Sequence, residues 1–277
     1  MKTILVPIEP HDSIQSVLET ALLLARKFDA RIEGFAWRSA ASNVVAMDPV
    51  NSLTVVLREN DQELVGQARG IFDSFMKERR VPRVDAASAF LSADWIEAPA
   101  DGDGFVGSQG RVFDIVVLGR PGGGRQGPRM TTVEAALFES GRPVLLAPPS
   151  APKTIGENIL VAWNCSTEQA RATALAMPLL RKATQVTVCT VEGATVPGPS
   201  GEQITRYLSL NDVPARSIVV APGQRRPGEV LLAKAEELGC DLIVKGAYTQ
   251  SRLRQLIFGG TTQHIITRAT VPALLAH

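Results

Sequence analysis

The sequence has few cysteines, few histidines and almost no excess of charge of either sign. Its three cysteines, Cys165, Cys189 and Cys240, form no CxxC pair and have no histidine beside them, so we expect reduced, mostly buried thiols and no metal site. The three histidines are equally scattered. No Ser/His/Asp, Cys/His or metal-ligand set stands out, although residues distant in the chain could still converge.

The charge balance and the absence of long apolar runs exclude several classes of protein. Lys and Arg number 29 against 28 Asp and Glu, whereas nucleic acid and anionic membranes select basic surfaces. We therefore expect a small molecule or a protein as partner. No apolar run approaches the ~18 residues of a membrane span, and the first residues lead into a strand pattern and not a signal peptide. A cytoplasmic location is expected.

The same order of short apolar runs and helical patterns occurs twice along the chain. Ile4-Leu-Val recurs as Ile159-Leu-Val, and Asp114-Ile-Val-Val recurs as Asp241-Leu-Ile-Val. A βαβ alternation of this kind predicts an α/β fold of two tandem five-stranded parallel sheets with flanking helices. The predicted domains are residues 1–149, with insertions, and 157–277, and the segment between them is rich in proline.

Apolar runs and helical spacing predict the individual elements. The predicted strands are 4–8, 31–37, 84–91, 114–119 and 142–147 in the first half, and 158–163, 185–191, 216–220, 241–245 and 271–275 in the second. The predicted helices are 14–28, 54–80, 131–140, 167–182, 202–210, 227–238 and 259–268. Residues 92–110 are predicted to form a loop with at most a short helix around Trp95, and Ser166 with Gln169 matches a capping box.

The most informative stretch runs from Asp241 to Thr262. It predicts a buried strand, a polar and basic loop, and a helix that begins with two glycines and two threonines. Ligands bind such sheets at the carboxyl ends of strands near the point where strand order reverses, and Gly246 falls there. The glycines could form a phosphate cradle at a helix N-terminus. They could equally allow tight packing of a strand-loop-helix crossover.

Taken together, these features resemble the universal stress protein family in its tandem form, over nearly the whole length. The resemblance implies an adenine nucleotide alpha hydrolase-like, Rossmann-type fold in each half, with the two fifth strands paired as an internal pseudo-dimer. It also implies a stress-response role with regulation, not turnover, as the output. ATP, with Mg²⁺, is the implied ligand.

Members of that family that bind ATP carry Gly-x2-Gly-x9-Gly-(Ser/Thr), and the second half matches it in part. Gly246 and Gly259 fit the first and third glycines, but Thr249 replaces the second glycine and Gly260 takes the place of the hydroxyl. Because a β-branched residue resists positive φ, Thr249 is the larger departure. The implied binding residues are Asn164, Gly246, Thr249, Gly259, Gly260, Thr261 and Thr262.

Asn164 and Glu9 stand where the family has a nucleoside-binding aspartate. Asn164 could contact a ribose or base, or it could cap the following helix. Glu9 is interpreted as a solvated loop acid. In the first half Gly119 remains, but the glycines after it do not reproduce the motif spacing, which indicates a degenerate, structural copy.

Other residues of the same stretch allow two interpretations each. Lys245, Arg252 and Arg254 could neutralise phosphates or be solvated. Tyr248 could stack on a base or pack on the sheet edge, and His264 is interpreted as a helix-surface or interface residue.

Two functional hypotheses follow, one from the family resemblance and one from the departures from the ATP-binding motif. One is nucleotide-dependent regulation, with an unknown protein partner and the capacity for a further homodimer. The other is an interaction scaffold that binds no nucleotide, for which a second-half crevice filled by side chains would be the sign. Because no pair of acids is placed to hold Mg²⁺, an enzyme ranks last.

Overall fold

In a computed structural model, the described part of the chain comprises ten strands and eight helices. Residues 1–37, 52–83, 91–97, 102, 104–121, 128–247 and 260–277 are described, without the side chains of 52–61. The strands are β1 (Thr3–Pro7), β2 (Arg31–Phe35), β3 (Ser92–Trp95), β4 (Ile115–Leu118), β5 (Val144–Leu146), β6 (Asn158–Ala162), β7 (Gln185–Val191), β8 (Ala215–Val220), β9 (Leu242–Gly246) and β10 (Ala273–Ala276). The helices are α1 (Ile14–Phe28), α2 (Ser52–Glu78), α3 (Gly104–Gly110), α4 (Met130–Glu139), α5 (Thr167–Leu180), α6 (Gly201–Ser209), α7 (Pro227–Glu237) and α8 (Thr261–Arg268).

All ten strands belong to one sheet in the order β3-β2-β1-β4-β5-β10-β9-β6-β7-β8. Neighbours within each half are parallel, and only β5 and β10 pair antiparallel. The predicted parallel halves and the pairing of the two fifth strands are therefore confirmed, and the two sheets are continuous. The domain boundaries at 149 and 157 stay a prediction.

The same aspartate contact ties the fourth strand to the first in both halves. Asp114 accepts hydrogen bonds from the backbone N–H groups of Lys2 and Thr3, and Asp241 accepts them from Glu157 and Asn158. In each half this carboxylate satisfies donors at the start of the central strand, which lies next to the fourth strand. The repeated Asp-x-x-Val pattern thus has a structural cause.

Helices cover both faces of the sheet, as expected for parallel strands. Buried side chains of α1, α2 and α5 share one core, which also includes Leu208 of α6. On the opposite face α3, α4 and Ile266 of α8 pack over the middle of the sheet, while α7 and Ile265 of α8 pack beside them. Because β9 lies near the middle, it is buried on both faces along its whole length.

Two elements of the first half differ from the sequence prediction. Trp95 belongs to strand β3 and not to a loop or helix, and a helix forms at Gly104–Gly110, where a loop was predicted. The predicted strand at 84–91 lies almost entirely outside the described residues. The short helix contains three glycines, two of which allow it to approach α4 closely: a Cβ at Gly107 would lie 2.6 Å from the Glu139 Cβ, and one at Gly110 would lie 2.8 Å from the Ser140 Cβ.

Candidate functional site

The candidate site of the second half lies where β6 and β9 run side by side. These strands are parallel neighbours, and they are the point at which strand order reverses in this half. Gly246 is the last residue of β9, and Asn164 follows the end of β6 before helix α5 begins. The predicted position of Gly246 at the carboxyl end of the fourth strand is therefore confirmed.

Gly246 packs against the first turn of helix α5. A Cβ at this position would lie 2.5 Å from the carbonyl carbon of Glu168 and 2.7 Å from the Cα of Gln169, closer than side chains can approach backbone. The Gly246 N–H donates to Gln169 Oε1 at 2.7 Å, and Gln169 Nε2 donates to the Val244 carbonyl at 3.4 Å. Close packing alone is therefore sufficient to require a glycine here.

Gln169 has a different role from the one predicted for it. Ser166 does cap helix α5 by accepting from the Gln169 N–H at 3.2 Å, but the Gln169 side chain does not return to the cap. It is fully buried and fills the space between α5 and the end of β9. The predicted capping box is therefore only half formed, whereas a complete box occurs at Ser200 and Gln203 of helix α6.

Asn164 is held within the turn that precedes helix α5. Its Oδ1 accepts from the Ser166 N–H at 3.3 Å and from the Ser166 hydroxyl at 2.9 Å. The loop after β7 lies over this turn, since the Val196 N–H donates to the Asn164 carbonyl and the Trp163 indole donates to the Pro199 carbonyl. The helix-capping interpretation of Asn164 thus accounts for its side-chain oxygen.

Helix α8 begins with a glycine and has no side-chain cap. Gly260 occupies the cap position with extended backbone (φ −68°, ψ 171°), and a Cβ there would meet no atom of the described residues within 4 Å. Thr262 is buried and Thr261 is half-buried. The first N–H groups of an α-helix have no partner within the helix, and the macrodipole makes this end attractive to an anion.

Several predicted residues lie outside the described part of the chain. They are Thr249 and Gly259 of the motif, and Tyr248, Arg252 and Arg254 of the intervening loop. Their assignment to a nucleotide site stays a prediction. The described residues of the motif are thus Gly246 at the end of β9 and Gly260, Thr261 and Thr262 at the start of α8.

Lys245 is not the solvated loop cation that the sequence suggested. It lies within β9, is 3% exposed, and donates from Nζ to the Gly246 carbonyl at 2.6 Å. Burial lowers the pKa of Lys245 to about 8, and the negative charge of Glu168 acts in the opposite direction. The sequence signal for this burial was the predicted strand 241–245, in which Lys245 directly follows the apolar run Leu242–Val244.

A family model, described as the universal stress protein family, matches residues 156–277. The second half of the chain belongs to the universal stress protein family. Solved universal stress proteins also share the fold of the whole chain. The one from Archaeoglobus fulgidus DSM 4304 has a TM-score of 0.69 at 16% identity, covering 99% of this chain and 97% of that chain.

A second structure, from Pseudomonas aeruginosa UCBPP-PA14 and provisionally described as a universal stress protein, has a TM-score of 0.57 at 15% identity. It covers 100% of this chain and 93% of the other. A search of curated proteins finds no match. At these identities the likeness of the solved structures establishes the fold, and the family assignment rests on the match over residues 156–277.

In the first half, side chains closely approach Gly119, which follows β4 as Gly246 ends β9. A Cβ at Gly119 would lie 2.5 Å from Pro128 Cγ and 2.8 Å from His11 Nε2. His11 Nδ1 accepts from the Ser13 N–H at 3.0 Å, and burial lowers the pKa of His11. Gly119 is therefore closely packed, and the interpretation of the first half as a structural copy stays a prediction.

Glu9 is not a solvated acid, contrary to the prediction. Its carboxyl is 18% exposed and pairs with Arg129, whose Nε lies 3.3 Å from Glu9 Oε2. Burial raises the pKa of Glu9, and the positive charge of Arg129 opposes that shift. Arg129 in turn stacks over the Trp37 ring, 5.2 Å from its centroid. Local sequence contains no signal for this pair, because Glu9 and Arg129 are distant in the chain and meet only through the sheet order.

The remaining polar groups add no second site. Cys165, Cys189 and Cys240 are free thiols, of which the last two are buried. Among the described residues, no group of three or more His, Cys, Asp or Glu could hold a metal ion. None of the helices in the described ranges is long and apolar enough to cross a membrane. His264 packs its Cβ against Gly228 of α7, which confirms it as an interface residue.

Proposed function

We propose that this chain is a stress-response protein whose second half binds ATP or a related adenine nucleotide, with Mg²⁺. The output is regulation through a protein partner, not turnover, and the location is cytoplasmic. The first half acts as a structural copy that completes the internal pair. Family membership of residues 156–277 supports the stress-response role.

The observation that carries the nucleotide proposal is the sheet order. It places Gly246 and Asn164 at the carboxyl ends of two adjacent strands at the reversal point, which is where ligands bind in open α/β sheets. The uncapped start of α8 follows in the chain and offers N–H groups to a phosphate. Within the described part of the chain, a Cβ at Gly260 would meet no atom within 4 Å.

An interaction scaffold without nucleotide is the second candidate, and one observation favours it. The space beside Gly246 is filled by fully buried Gln169, and the Asn164 oxygen is taken by Ser166. On this view Gly246 and the Asn164 side chain have structural roles and do not contact a ligand. On this hypothesis the internal pair presents a surface to a protein partner and has no small ligand.

Binding of Mg-ATP to purified protein decides between the two candidates. Isothermal titration and the shift in melting temperature should show saturable binding to the wild type. Gly259→Asp should abolish binding because it adds a negative charge to the phosphate loop. Gly70→Asp is the matched control, since this exposed helical glycine has open space around it. Equal binding by both variants, or no binding by the wild type, would favour the scaffold.

The absence of turnover is tested on the same sample. Under the proposal, incubation with Mg-ATP should release ADP no faster in the wild type than in Gly259→Asp. A rate that saturates with ATP and is lost in Gly259→Asp would make the protein an ATPase and refute the regulatory part of the proposal.

A further inference from the structure

The ammonium of Lys245 lies at the reversal point of the second half. Backbone N–H groups of Ile243 and Ala247 donate toward β10, to Pro272 and Ala276. Because successive residues of a strand point their backbone groups to opposite sides, the Gly246 carbonyl points to the other side, toward β6. Lys245 Nζ donates to that carbonyl at 2.6 Å. The charge is therefore placed between β9 and β6.

This ammonium has fewer partners than a buried cation needs. Within the described ranges, one of its three donors is used, for the Gly246 carbonyl. Among the described residues, Glu168 is the carboxylate that acts on its charge, and the pair does not come within ion-pairing distance. Charges buried to this degree are normally paired and fully hydrogen-bonded. Lys245 is therefore suited to contact an anionic group.

A second positive feature lies beside the ammonium. The first turn of helix α5 packs directly against Gly246, whose carbonyl accepts from Lys245, so the positive end of this helix dipole lies near the same residue. Glu168 belongs to that turn, and its Oε2 is buried without a hydrogen-bond partner. The carboxylate is thus a weak, unsatisfied neighbour that a better hydrogen-bonding anion can replace.

We infer that Lys245 binds the phosphate groups of the nucleotide and supplies the charge that the incomplete glycine motif does not. The inference rests on the proposed nucleotide function. It also gives a role to a departure from the motif. Gly260 stands where the family has a hydroxyl, and the Lys245 ammonium supplies a positive charge at the other end of the motif, beside Gly246.

Proton uptake on binding is a consequence of this geometry. Burial lowers the pKa of Lys245 to about 8, while Glu168 raises it. A bound phosphate favours the charged form and raises that pKa further. Near pH 8 the complex should therefore take up a proton, and at pH 6.5 it should not, because Lys245 is already charged.

The test compares Lys245→Met with Lys153→Met in the full chain. Methionine keeps the length of the side chain and removes a buried charge, so the variant should fold. Lys153 is exposed, which makes its replacement a control for the same change in net charge. The probes are Mg-ATP and tripolyphosphate, titrated calorimetrically at pH 7. Lys245→Met should weaken binding by roughly ten- to a hundredfold, and Lys153→Met by less than about twofold.

The outcomes separate this inference from the nucleotide proposal. ATP binding that is unchanged in Lys245→Met would overturn the inference and leave the nucleotide proposal intact. Binding of tripolyphosphate that requires Lys245, without binding of ATP, would refute the nucleotide proposal and the inference as stated, and would assign Lys245 to another polyphosphate. No binding of either probe to the wild type would refute both.

Two further measurements exclude a purely structural role. Glu168→Gln should tighten binding at pH 7 because it removes a competing carboxylate. Weakening equal to that of Lys245→Met would instead mark a structural pair and overturn the inference. Titrations of wild type at pH 8 in two buffers of different ionisation enthalpy need no variant, and a binding enthalpy that does not depend on the buffer would also overturn it.

Discussion

Replacing Gly246 by alanine tests whether packing alone requires a glycine at this position, in the absence of any ligand. The added Cβ would lie 2.5 Å from the Glu168 carbonyl carbon and 2.7 Å from the Gln169 Cα, where ordinary contacts are about 3.5–4 Å. Helix α5 must therefore move by about 1 Å. Overpacking of this kind costs about 1–3 kcal/mol.

The same movement strains the hydrogen bonds of Gln169. Its Oε1 accepts from the Gly246 N–H at 2.7 Å, and the side chain is fully buried. Leaving buried polar groups unsatisfied costs about 1–3 kcal/mol. A total of about 3 kcal/mol is expected, which for a chain of this size corresponds to a fall in melting temperature of about 6–12 °C.

Gly260→Ala is the matched control, because Gly260 has extended backbone and a Cβ there would meet no described atom within 4 Å. Its melting temperature should stay within about 1 °C of wild type by differential scanning calorimetry without ligand. A change of less than about 1 °C in Gly246→Ala, or equal changes in the two variants, would refute the packing argument.

Three further predictions concern the side chains around both crevices. Asn164→Ala should cost about 1 kcal/mol in chemical unfolding because it removes the acceptor for Ser166, and Asn164→Asp, which keeps that acceptor, should stay close to wild type. Because burial raises the pKa of Glu9, folding favours its protonated form. The stability that this carboxyl contributes is complete below pH 4.5 and is lost as the pH rises through the shifted pKa. Glu9→Gln should therefore melt at a higher temperature than wild type at pH 7, and a higher melting temperature that persisted at pH 4 would contradict this. Burial raises the pKa of Cys189 and Cys240 to about 11, so a thiol reagent at pH 8 should label at most Cys165 in the native protein and all three in denaturant.

The elements that the sequence predicted well are those with strong apolar runs. β7 at Gln185–Val191 was predicted at its observed bounds, and β9 within one residue, because a central parallel strand is buried on both faces. β3 was missed because its Ser92-Ala-Asp-Trp sequence has no such run. It is held by pairing with β2 and by the ion pair between Arg31 and Asp94.

The site was predicted in position but not in its interactions. The repeat identified the strand that ends at Gly246 as the fourth strand of the second half, and in the observed sheet this strand lies at the reversal point. The partners of Lys245, Gln169 and Glu9 come from other strands and helices, so local spacing carries no information about them. Average behaviour suggested solvated charges for Lys245 and Glu9, and the buried environment of both reverses that expectation.

The antiparallel pairing of β5 with β10 joins strands of a single chain. An assembly of two separate copies dissociates on dilution, whereas this joint forms within one molecule and is independent of concentration. Its antiparallel sense also directs the carboxyl ends of the two halves to opposite edges of the sheet. A molecule bound at Gly246 and a partner at the first half would therefore occupy opposite ends of the protein, and the chain can hold both at once.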